Sequence, residues 1–181
     1  KTIFYIVIIL FSIICLGVKC KKDEKPTYYM PQEFKDYVMF KEGSYWIYKD
    51  STSGNIDSIY LSNQYINIYD PKHYDFKYEN LNQDFYSSYN SQYTGECWLK
   101  SPDPLYYEYH GHGDYTGKSG QFYQVNIYDS LKINNILYNN VVSVQSYLNQ
   151  FYYYWVKNIG LIKKIKEDST QNWVLKKYYI N

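Results

Sequence analysis

Ser44-Tyr45-Trp46-Ile47-Tyr48-Lys49 is followed by Ser51-Thr52-Ser53-Gly54-Asn55 and then by Asp57-Ser58-Ile59-Tyr60-Leu61. Two segments with a side-chain period of two flank a cluster of turn formers, which is the pattern of a β-hairpin. The same grammar continues in both directions. Residues 65–69 read as a further strand, halted by Asp70-Pro71. Tyr74, Phe76 and Tyr78 alternate with Asp75 and Lys77, as in a strand with one wet face. Residues 96–100 and 105–109 give shorter strands, and 121–128 another. Leu131-Lys132-Ile133 and the segment 136–147 flank Asn134-Asn135, a pair that tolerates positive φ in a tight turn. Three strands end the chain: 151–156, 161–166 and 173–180, with turns at 158–160 and 168–171. The four glycines of residues 111–120 mark a long loop. Upstream of the hairpin, Pro31 and Glu33 suit the start of a short helix with Phe34, Tyr37 and Val38 on one face, ended by Gly43.

Roughly ten strands joined by short turns predict an all-β, mainly antiparallel meander rather than βαβ units. Such a sheet buries its apolar face only by curling into an open barrel or folding into two layers. Composition agrees. The chain has 181 residues, 27 of them Tyr, and contains neither Ala nor Arg. Ala is the best helix former, whereas Tyr, Ile, Val, Phe and Trp favour a pleated surface. The missing residues are those with GC-rich codons, so part of the Tyr excess reflects codon usage. With 19 basic and 18 acidic residues the formal net charge is +1. A nucleic-acid binder would carry a basic stripe, so that class of partner is excluded.

Residues 2–18 form an almost unbroken apolar run behind Lys1. A positive start followed by a short apolar core is the pattern of a secretory signal peptide, and a permanent anchor helix is the other reading. The run ends at Leu16-Gly17-Val18-Lys19-Cys20, followed by Lys21-Lys22-Asp23-Glu24-Lys25-Pro26. This resembles the signal of a bacterial lipoprotein, which is cleaved before a Cys that then receives acyl chains. Lys19 stands where such signals usually carry Gly, Ala or Ser. Cys15 fits less well, because Ile14 precedes it and apolar residues follow. The expected division is a signal peptide at 1–19, a lipidated tether at 20–30 and one β domain at 31–181. Lys22-Asp23-Glu24 resembles the tether that sends lipoproteins of Bacteroidota to the outer cell surface. Phe40-Lys41-Glu42-Gly43-Ser44-Tyr45-Trp46-Ile47-Tyr48 and Tyr154-Trp155-Val156-Lys157-Asn158-Ile159-Gly160-Leu161-Ile162-Lys163 resemble segments of small Bacteroidota lipoproteins of unknown activity. The resemblance covers the leader and both ends of the mature domain. It implies an outer-membrane lipoprotein, on the periplasmic face or the cell surface, and carries over no active-site residue.

Candidate chemistry is sparse. His110-Gly111-His112-Gly113-Asp114 is the one run that invites a metal, and a stable site needs a further ligand. His73 is the remaining His, so no metal or other cofactor is expected. Cys97, alone once Cys15 and Cys20 are accounted for, reads as a small apolar residue buried in a strand. No catalytic residue is assigned. Tyr106-Tyr107 and Tyr152-Tyr153-Tyr154-Trp155 pose a packing problem, because successive strand residues face opposite sides. Either a second layer covers the sheet, or Tyr106, Tyr107, Tyr152 and Tyr154 present aromatic surface to a glycan, a peptide or an apolar ligand. The expected function is a lipid-anchored protein of the cell envelope that binds or scaffolds without catalysis. A carrier enclosing an apolar ligand is the alternative, and a hydrolase is third.

Overall fold

The computed structural model describes residues 24–89, 91–102, 105–110, 122–146 and 150–181. The elements are β1 (Thr27–Tyr28), α1 (Gln32–Val38), β2 (Tyr45–Asp50), β3 (Ile56–Tyr69), β4 (Lys77–Ser87) and β5 (Ser91–Pro102). They continue with β6 (Leu105–His110), β7 (Phe122–Ile133), β8 (Ile136–Ser146), β9 (Phe151–Val156), β10 (Gly160–Lys166) and β11 (Asn172–Tyr179). Ten strands follow one another in a single sheet in the order β6-β5-β4-β3-β2-β11-β10-β9-β8-β7. Every neighbouring pair on this path is antiparallel. β1 stands off it and pairs with β4 in parallel. Two meanders, β2–β6 and β7–β11, are therefore joined along one seam, the pairing of β2 with β11. The ends of the path are β6 and β7, so among the described residues the sheet stays open. It is nevertheless strongly curled: Tyr109 of β6 meets Trp155 of β9 edge-on at 5.4 Å, although six strands lie between them. The all-β antiparallel class with one short preceding helix is as the sequence predicts.

The sequence reading departs from the structure where the inward face is polar. The sequence pattern predicts no strand over 79–95, yet β4 runs through Ser87 and β5 begins at Ser91. Their buried positions include Glu79, Gln83, Ser87 and Gly95, which break the apolar alternation. Residues 57–61 and 65–69 belong to one strand, β3, because a bulge between Leu61 and Asn63 absorbs the change of pattern. Tyr74 and Phe76 lie in the turn before β4, not in a strand. α1 ends at Val38 rather than at Gly43, since Met39 already has extended backbone (φ −97°, ψ 112°). Gly43 instead occupies a separate turn with φ of 92°. Residues 25–30, expected within the tether, join the fold: β1 adds to the sheet and Met30 is buried. The glycine-rich loop 111–120 lies outside the described residues. Asn134 and Asn135 do form the β7–β8 turn, with φ of 47° and 66°.

The packing problem of the C-terminal strands is solved by covering both faces. Register places Trp155, Tyr153 and Phe151 on the side of Lys164, Trp173 and Tyr48. This is the concave side, and Trp155 (6% exposed) and Trp173 (2%) are buried there. Tyr154, Lys163 and Val174 share the opposite side. There Val141, Val156, Ile162 and Val174 cluster with Ile133, Tyr128, Leu131, Tyr138 and Tyr154, so the β7–β8 hairpin supplies a partial second layer.

A buried polar network fastens α1 to the concave face. Gln83 Nε2 donates to Val38 O (3.0 Å) and to Gln64 Oε1 (2.8 Å), and the Tyr109 hydroxyl donates to Gln83 Oε1 (3.1 Å). Gln64 Oε1 also accepts the Phe40 N–H. Satisfied networks of this kind fix one arrangement of the elements they join. Gly95 makes room for it, since a Cβ there would lie 2.6 Å from the Tyr109 hydroxyl and 3.0 Å from Phe85 Cε2. Gly95→Ala is expected to destabilise the domain by about 1–3 kcal/mol through overpacking. Thermal melting should also show Gly95→Ala/Tyr109→Phe to be less destabilised than the sum of the single variants, because the second change removes the clashing atom.

Candidate binding surface

The hairpin of β3 and β4 outruns the sheet. Pairing of β2 with β3 stops at Tyr60, whereas β3 and β4 stay paired to Tyr69 and Tyr78. The projecting end gains one further partner, β1, with Thr27 opposite Lys77 and Tyr28 opposite Tyr78. Lys77 N–H donates to Pro26 O at 2.8 Å. Asp70-Pro71 starts the turn, where proline cannot donate to a ladder. Lys25 Nζ reaches this turn and donates to Asp70 Oδ1 (2.8 Å) and Pro71 O (3.1 Å).

Aromatic rings occupy the end of this hairpin. Tyr74 and Phe76 stack at 5.0 Å with their planes 4° apart. Tyr28 meets Phe76 edge-on at 5.6 Å, and Tyr69 meets Tyr78 at 5.4 Å. Tyr78 is buried under its neighbours, and burial, then the Tyr69 and Tyr74 phenols, push its own phenol up. Tyr28 and Phe76 are half-buried, while Tyr29 is 62% exposed and Tyr74 53%, and Tyr65 and Tyr69 are also exposed. Register sets Tyr65 and Tyr69 on one face and Ile66 and Ile68 on the other. Both isoleucines are exposed as well, so apolar side chains meet solvent on both faces of the projection. Its base is fixed by Glu79, which accepts the Met30 N–H and pairs with Lys35 at 2.8 Å, both side chains being largely shielded.

The residues singled out from the sequence fall elsewhere. Tyr106 and Tyr107 lie in β6, opposite Ser101 and Leu99. Tyr152 is half-buried in β9. Tyr154 is half-buried and packed under the β7–β8 hairpin, with Lys163 Nζ 5.5 Å from its ring centroid, and burial raises its phenol. His110 ends β6, opposite Glu96. His112, Asp114 and Cys20 lie outside the described residues. The hairpin surface itself was missed because Tyr74, Phe76 and Tyr78 alternate like a strand. The available signal was Asp70-Pro71 followed by Lys72, His73 and Asp75, a polar turn carrying large rings.

The buried titratable groups hold turns together. Asp50 accepts Ser53 Oγ (2.6 Å), Asn172 N–H (2.9 Å), Thr52 N–H (3.1 Å) and Ser53 N–H (3.3 Å). Burial acts to raise its carboxyl, but these hydrogen bonds outweigh it and hold the group below its ordinary value. Asp57 accepts Ser87 Oγ (2.7 Å) and Tyr89 N–H (3.2 Å). Lys164 is buried with its Nζ over the rings of Phe151 and Trp173. Cys97 is fully enclosed, and burial pushes its thiol well above the ordinary value, away from the reactive thiolate. Among the described residues no three His, Cys, Asp or Glu side chains come together to hold a metal ion. Compared with protein-family models, curated proteins and solved structures, the chain matches none of them.

Proposed function

We propose that the chain is a lipoprotein of the bacterial outer membrane, anchored through acyl chains on Cys20, whose β domain binds or scaffolds without catalysing a reaction. The observation that carries the binding role is the projecting β3–β4 hairpin, with exposed aromatic and aliphatic side chains on both faces. Exposed apolar surface of this kind marks an interaction site. It favours a surface binder over an internal carrier, since Trp46, Phe85, Leu61, Leu81, Leu161 and Ile162 fill the body of the fold with fully buried side chains. The anchor rests on the sequence around Cys20. Several acyl chains hold a protein stably, each buried methylene contributing about 0.8 kcal/mol.

Growth of an expressing bacterium with a clickable fatty acid tests the anchor. The parent chain is expected to take up label and to sediment with membranes. Cys20→Ser is expected to lose the label and to stay uncleaved or soluble. Label retained in that variant sinks the assignment.

A further inference from the structure

The tether and the exposed hairpin meet at the same place. Resting on the lipid anchor proposed above, we infer that the end of the β3–β4 hairpin, carrying Tyr29, Tyr65, Tyr69, Tyr74 and Phe76, docks into the headgroup layer of the membrane that holds the anchor. The tether sets the distance. Lys25 is fastened to the turn itself through Asp70 and Pro71. Cys20 is five residues earlier, and at roughly 3.3–3.6 Å per residue, with the Lys25 and Cys20 side chains added, the acylated sulfur lies within about 30 Å of that turn. β1 strengthens the tie by pairing Thr27 and Tyr28 with the start of β4. Whatever the orientation of the rest of the domain, this end stays within reach of the lipid.

The chemistry of the surface fits that neighbour. Tyr carries an apolar ring and a polar hydroxyl, and it concentrates where one end of a side chain is apolar and the other wet. A projection with Tyr on one face and Ile on the other, both exposed, cannot bury both against a single flat partner. A lipid interface surrounds a projection instead of covering one side. The charges at this end come close to balance, with Lys25, Lys72 and Lys77 beside Asp70 and Asp75, so attachment rests on the rings more than on attraction to anionic lipid. Penetration stops at the headgroups: residues 70–76 are irregular backbone, which the hydrocarbon core does not tolerate when it faces lipid.

The test uses the full chain, processed and acylated in the cell, purified and reconstituted into vesicles of phosphatidylethanolamine and phosphatidylglycerol. An environment-sensitive dye is attached at Tyr74→Cys or, as control, at Leu137→Cys, an exposed apolar position on the β7–β8 hairpin. The parent takes no dye at Cys97, which is buried. The expected result is a blue-shifted emission at position 74, quenched by a quencher carried on the lipid headgroup and shielded from aqueous iodide. Position 137 should emit as in water. Fatty-acid labelling on the same preparation separates the two readings. An acylated protein whose dye at position 74 emits as in water, or shifts no more than at 137, overturns the docking inference and leaves the anchor standing. A preparation without acyl label overturns both.

Discussion

Removal of residues 171–181 is expected to abolish the cooperative unfolding of the domain. β11 is central to the sheet, paired with β10 on one side and β2 on the other. No other pairing connects the two meanders among the described residues. The deletion therefore frees two edges at once, those of β2 and β10. It also withdraws Trp173, Val174 and Leu175, all buried. Each such side chain contributes roughly 1.5–3 kcal/mol by burial alone, and the cavities left behind add to the loss. Against a typical total of about 5–15 kcal/mol, the truncated chain has little stability left. Exposed edges in an unfolded or half-folded chain pair with other chains, so the variant should aggregate. Circular dichroism, thermal melting and size exclusion on parent and truncated proteins check this. A melting temperature unchanged by the truncation would show that β11 is an appendage and that the meanders hold together by face-to-face packing.

The same seam explains what the sequence revealed of the fold and what it hid. Strands β2, β9, β10 and β11 were legible because their inward positions carry Trp46, Tyr48, Trp155, Leu161 and Trp173, large apolar residues in a period of two. Asn134-Asn135 and Asn158 to Gly160 announced their turns because few residues accept positive φ. β4 was hidden because its concave positions hold Glu79 and Gln83, each satisfied by partners far away in sequence: Met30 and Lys35 for one, Val38, Gln64 and Tyr109 for the other. No local pattern encodes a buried polar residue whose partners lie tens of positions away. The candidate surface was hidden for a related reason. Alternating Tyr74, Phe76 and Tyr78 resemble a strand, and only the length of β3 relative to β2 turns them into the end of a projection. The joining of β2 to β11 was equally out of reach, since the order of strands in a sheet follows from which apolar faces must meet.

Trp46 ties these levels together, and its loss should be the most damaging single substitution. The ring is 0% exposed. Phe40 packs on it edge-on at 5.1 Å, and Phe85 of β4 lies 6.3 Å away. Its Nε1–H donates to Ile159 O at 2.6 Å, in the turn between β9 and β10. Gly160 stands beside that turn with φ of 94°, and a Cβ there would come within 3.1 Å of the Phe40 ring. One side chain of the first meander thus reads the backbone of the second. Trp46→Ala removes the ring and the hydrogen bond together, and is expected to cost about 3–5 kcal/mol, lowering the melting temperature by roughly 6–20 °C. Trp46→Phe keeps most of the packing but leaves the Ile159 carbonyl without its donor, a loss of about 1–3 kcal/mol. The expected order of melting temperatures is parent, then Trp46→Phe, then Trp46→Ala. Equal losses in the two variants would assign the contribution to the hydrogen bond rather than the ring. A Trp46→Ala variant that melts with the parent would mean that the β9–β10 turn is held to the first meander without this residue.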